Sequence, residues 1–160
     1  MSSRPMRYIT VCSILTVITF AACAAAPNGS MIDREAARKL SDSFMSDLVL
    51  NRVSDAVGLM EPELAQKLGP AEAEAQIRKL FEYCGRPLDS EFKHDETGFK
   101  IYLNGNKKPM RKFYYAARTD QFAKGVCFFS ISVVPSPSGL KVTEYGPLKL
   151  LTGQLPDWLK

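Results

Sequence analysis

The side chains able to do covalent or acid-base chemistry are few enough in this chain to be weighed one by one. His94 is the only histidine, so a histidine-dependent nucleophilic triad would have to recruit it, and no Gly-x-Ser-x-Gly elbow accompanies it. Asp89, Glu91, Asp95 and Glu96 surround His94 in alternation with apolar positions, the pattern of a solvated strand face and not of a convergent site. No catalytic residue is assigned. The four cysteines, Cys12, Cys23, Cys84 and Cys127, form no Cys-x-x-Cys redox motif and, with His94, no zinc-ligand spacing. No metal and no cofactor are expected. Cys84 and Cys127 either pair, as two cysteines in an exported domain commonly do, or pack as small apolar thiols. Lys107, Lys108, Arg111 and Lys112 cluster around Pro109; such a tip could touch anionic lipid or a cell-wall polymer, or simply keep a sheet edge soluble. Tyr102, Tyr114, Tyr115, Phe128 and Phe129 are expected in the core, with any surplus lining a pocket for a small apolar ligand.

These residues need elements to hold them, and the amino terminus shows where such elements would work. Arg4 and Arg7 precede an uncharged stretch, Tyr8 to Ala22, which ends in Ala21-Ala22-Cys23-Ala24-Ala25-Ala26. A cationic start, an apolar run too short to span a bilayer and a small-residue end make a secretory signal peptide over residues 1–22, followed by a linker over 23–30. Phe20-Ala21-Ala22-Cys23 resembles the lipobox of bacterial lipoproteins, although Phe20 stands where leucine is usual. The resemblance implies that Cys23 carries a diacylglycerol anchor and becomes the new amino terminus. Ordinary signal-peptidase cleavage after Ala24 or Ala26 stays open as the alternative. The expected location is the bacterial cell envelope, at the membrane if lipidated and otherwise periplasmic or secreted.

The exported part reads as one α+β domain over residues 31–149. Ala37, Leu40, Phe44 and Leu48 predict an amphipathic helix, started by Ser30 and Asp33 as a capping box. Val53, Ala56, Val57 and Met60 predict a short second helix. Ala73, Ile77, Leu80 and Phe81 predict a third, ended by Gly85. From Leu88 the period changes to two, and five antiparallel strands are expected: Leu88 to Asp95, Phe99 to Leu103, Lys112 to Arg118, Val126 to Val134 and Leu140 to Tyr145. Turns are placed at Glu96-Thr97-Gly98 and Asn104-Gly105-Asn106. The expectation is three amino-terminal helices packed on a curved antiparallel sheet of about five strands. The tail, residues 150–160, with Leu155, Trp158 and Leu159, is too apolar to stay in water and should pack on the domain or meet a partner.

That order of elements resembles the cone-shaped superfamily of ketosteroid isomerase and nuclear transport factor two, including its small exported bacterial members. The resemblance implies a sheet wrapped round helices with a pocket at one end, which some members use for catalysis and others for binding or assembly. It carries over no catalytic residue.

At 160 residues the chain has room for one core. A composition 46% hydrophobic and 24% charged, with mean hydropathy −0.11, excludes disordered and multi-span membrane classes. The net charge of +4 loses Arg4 and Arg7 with the signal peptide, leaving too little to attract nucleic acid. The function expected is an exported envelope protein that binds or assembles without catalysis, its partner an envelope protein, a small apolar ligand or, through the anchor, the membrane. The alternative is a small-molecule enzyme of the ketosteroid isomerase type.

Overall fold

The computed structural model describes residues 32–62, 69–121 and 126–148. Cys23, the signal peptide and the tail with Trp158 lie outside the described residues. Helix α1 spans Arg34–Val49 and buries Ala37, Phe44, Met45 and Leu48 along one stripe. Its cap is Asp33, whose carboxylate accepts the Ala36 N–H at 2.6 Å, satisfying a donor that the first turn leaves without a partner; Ser30 lies outside the described residues. Asn51 breaks the helix in the left-handed region, φ 58°. Helix α2 spans Val53–Gly58 and stops short of Met60, whose backbone instead bridges Val142 in parallel. Helix α3 spans Pro70–Cys84 and ends at Gly85.

Four strands follow in the spatial order β1-β2-β3-β4, every neighbouring pair antiparallel: β1 Glu91–Ile101, β2 Lys107–Ala117, β3 Cys127–Ser136 and β4 Gly139–Pro147. This corrects the expected five-stranded sheet. Glu96-Thr97-Gly98 is no turn; the two strands expected on either side of it are one. The ladder runs straight through, with Glu96 opposite Lys112, Thr97 opposite Arg111 and Gly98 opposite Met110. The opposite charges of the first pair favour that register. Pro109 lies within β2, where pairing with β3 has already ended at Arg111, so its missing N–H breaks no rung on that side. The helices are not an amino-terminal block either, since α3 ends past the midpoint of the chain. Nor do all three lie on the sheet: α1 rests against β2, β3 and β4, whereas α3 packs chiefly on α2.

Register divides the sheet into two faces. Phe92, Phe113, Tyr115, Phe129, Ile131 and Val133 meet α1 on one face and share a core with Phe44, Met45 and Leu48. Each such side chain fully buried contributes about 1.5–3 kcal/mol. The β1–β2 hairpin turns at Asn104-Gly105-Asn106, with Gly105 at φ 81° and the Asn106 N–H bonded to the Asn104 side chain at 3.0 Å. Its far end is bare: Phe99 is 66% exposed, Ile101 65% and Leu103 fully. Among the described residues no helix is long and apolar enough to cross a membrane.

Candidate functional site

Two carboxylates with little-exposed side chains, Glu61 and Asp95, tie distant parts of the chain together. Glu61 follows the Met60 bridge and lies at the outer edge of β4, where its N–H donates to the Val142 carbonyl at 2.7 Å. Its side chain is only 3% exposed. Three donors from distant parts of the chain converge on it: the Tyr102 hydroxyl at 2.9 Å, the Lys108 ammonium at 2.6 Å and the Thr143 hydroxyl at 2.9 Å. The Lys108 ammonium also lies 4.9 Å from the centre of the Tyr102 ring, in range for a cation–π contact. Burial pushes the Glu61 carboxyl up, but the bonds from Lys108, Thr143 and Tyr102 outweigh it and hold it below the usual carboxylate range. Burial and the Glu61 charge move Tyr102 the other way, upward.

Asp95, on the helix-facing side of β1, joins α1 to β2. Arg34 of α1 grips it with Nε at 3.0 Å and Nη2 at 2.6 Å, and Arg111 of β2 reaches its other oxygen at 2.6 Å. The Arg34 bond is the main reason that Asp95 is held below its usual range, against an upward push from burial. The Arg111 Nε is buried and without a partner among the described residues. One turn along α1, Arg38 chelates Asp42 at 2.8 and 2.9 Å and lies 3.6 Å above the Phe92 ring. The buried Tyr115 hydroxyl closes this row on Asp42 at 2.7 Å and Ser41 at 2.9 Å. A cavity of about 290 Å³ opens beside it, lined by Arg34, Glu35, Arg38 and Phe113.

The aromatic residues expected to line one pocket are divided between surfaces. Tyr115 and Phe129 sit opposite each other on the helix face. Tyr114 and Phe128 point to the other face, where the Tyr114 hydroxyl bonds Glu96 and its ring stacks on His94 at 6.1 Å between centroids. Tyr102 leaves the sheet after β1 to reach Glu61. Burial raises the Tyr114 and Tyr115 hydroxyls above their ordinary range. The basic cluster is divided as well. Lys108 and Arg111 are held in the two ion pairs, whereas Lys107 stays exposed beside the bare apolar end of the hairpin. Cys84 and Cys127 are free thiols, near enough for each to shift the other's ionisation. Among the described residues no group of His, Cys, Asp and Glu could hold a metal ion.

The chemistry available here is mainly electrostatic clasping. A carboxylate held ionised by three donors is a weak base, and a tyrosine with a raised pKa is a weak acid. The sequence reading missed Glu61, Arg34, Arg38 and Asp42. Nothing local marks Glu61, because its donors stand 41, 47 and 82 residues away. Only the spacing of Arg34 and Arg38 along one helix face could have been noticed.

No known protein family matches the sequence, and no curated protein matches it. Among solved structures the chain is distantly similar in fold to Aln2 from a Streptomyces species, with 12% identity and a TM-score of 0.44, over 74% of this chain and 93% of that one.

Proposed function

We propose that the protein is exported to the bacterial cell envelope and works there as a binding or assembly module without covalent chemistry, tethered at the membrane through Cys23. In this reading it is a small exported relative of the ketosteroid isomerase and nuclear transport factor two superfamily, with a lipoprotein-like signal peptide. The observation that carries the binding role is the bare end of the β1–β2 hairpin. Phe99, Ile101 and Leu103 expose apolar surface together, and surface of that kind, beside an exposed lysine, marks an interaction site. The buried carboxylates support the same reading, since Glu61 and Asp95 are saturated by donors and held ionised. The alternative, a small-molecule enzyme, draws its support from the three tyrosine–carboxylate pairs, Tyr102–Glu61, Tyr114–Glu96 and Tyr115–Asp42.

Two measurements test the reading. The Cys23→Ser chain should leave the membrane fraction and change electrophoretic mobility; unchanged partitioning and mobility would remove the anchor and leave simple secretion. Photo-crosslinking from position 101 in intact cells should give adducts of discrete mass that disappear in a Phe99→Ser, Leu103→Ser chain that remains folded. Adducts that persist in that chain would reject the hairpin end as the binding surface.

A further inference from the structure

We propose that Cys84 and Cys127 close a disulfide bond that staples the end of α3 to the start of β3. The proposal does not depend on the envelope reading and goes beyond it. The two thiols are unbonded in the structure and near enough for each to shift the other's ionisation. Cys84 also donates to the Leu80 carbonyl at 3.0 Å.

The backbone on both sides of the pair is pegged to the same end of β2. Cys84 is the last residue of α3. The next residue, Gly85, lies at φ +80° so close to the chain just past β2 that an added Cβ would be 2.6 Å from the Thr119 hydroxyl. Immediately beyond, the Arg86 N–H donates to the Asp120 carboxylate at 2.8 Å, the Asp120 N–H to the Arg86 carbonyl at 3.1 Å and the Leu88 N–H to the Arg118 carbonyl at 2.8 Å. Gln121 reaches back to the Glu82 carbonyl at 3.0 Å. On the other side Cys127 begins β3 directly opposite Ala117. These bonds hold the backbone on both sides of the two thiols against the same end of β2 whether or not the thiols bond, so oxidation asks for little backbone rearrangement. The staple would also fasten to the sheet a helix that packs chiefly on α2.

The oxidant is a small or protein-borne disulfide. Cys127, the less buried thiol, loses its proton to solvent and attacks the oxidant, forming a mixed disulfide and releasing one thiolate. Burial pushes the Cys84 thiol up to about 11, so Cys84 is the resolving group. It gives up its proton and attacks the Cys127 sulfur, releasing the second thiol of the oxidant. Two protein thiols are oxidised and one disulfide is reduced to two thiols, which closes the balance.

The test uses the purified full chain in glutathione buffers under native conditions, followed by alkylation and tryptic mapping. The peptides Leu80 to Lys93 and Gly125 to Lys141 should be recovered as one species, lighter than their sum by two hydrogens and separated by dithiothreitol. Oxidation should raise the melting midpoint by about 5 °C or more, a shift that the Cys127→Ser chain lacks. Both peptides alkylated and separate after native oxidation, or linked only after denaturation, would overturn the proposal, and so would an equal shift in Cys127→Ser.

Discussion

Glu61 joins three segments that are remote in the chain: the end of the Met60 bridge, the β1–β2 hairpin through Tyr102 and Lys108, and β4 through Thr143. Its charge faces the Lys108 ammonium and its other acceptor sites face the Tyr102 and Thr143 hydroxyls, so a neutral amide in its place removes the charge and half of the acceptor sites that the three donors share. Glu61→Gln should therefore lower unfolding free energy by about 2–3 kcal/mol, read from the urea midpoint at neutral pH. Glu61 buried against Tyr102 resembles a poised acid-base pair only until its shift is considered. The Glu61 carboxyl is held below the usual carboxylate range by its Lys108, Thr143 and Tyr102 bonds, so near neutral pH it is an acceptor and not a proton donor. An unchanged midpoint in the variant would mean that the three bonds contribute nothing net.

At the scale of elements, the joint between α3 and the end of β2 is held by several bonds and one close backbone approach. Gly85 serves there both as the left-handed stop of the helix and as the point of closest approach to Thr119 and Asp120. Gly85→Ala meets a steric obstacle and a backbone penalty together. It should destabilise by more than about 1 kcal/mol, with circular dichroism on thermal unfolding as the measure. Gly105→Ala, at φ 81° but with open space around it, isolates the backbone penalty, and the difference between the two variants reports the contact with Thr119 and Asp120. The long hairpin is the opposite case. Its apolar end is exposed and has no partner among the described core residues.

Taken whole, the domain should be bounded in pH from both sides. Glu61 and Asp95 have folded pKa values below their unfolded ones, so the stability they contribute is present above about pH 4 and is lost as pH falls through the folded values. In the reduced chain burial raises Cys84 to about 11, and it raises Tyr145 to about 12. Their ionisation in the unfolded chain, near about 8.5 and 10, comes before that in the folded one, so stability is complete below those values and is lost as pH rises toward the folded ones. Urea midpoints measured across pH should form a plateau from about pH 5 to 8 with a fall on each side. Glu61→Gln should flatten the acid fall; an acid limb identical to that of the unchanged chain would show that Glu61 titrates normally.

The sequence by itself determined what depends on near neighbours. The apolar stripe of Ala37, Phe44 and Leu48 marks α1, Gly85 marks the stop of α3, and Asn104-Gly105-Asn106 marks a hairpin turn, because helical period and turn conformation are local properties of the chain. Tertiary structure decided the rest. Gly98 looks like a turn residue from its neighbours, yet the pairing of Glu96 with Lys112 and Gly98 with Met110 keeps β1 continuous, so the sheet has four strands. The saturation of Glu61 and the clasp of Arg34 and Arg111 on Asp95 join residues far apart in the chain. Their identities carry no mark of these partners, since the free energy that selects them comes from burial and charge compensation once the core has closed.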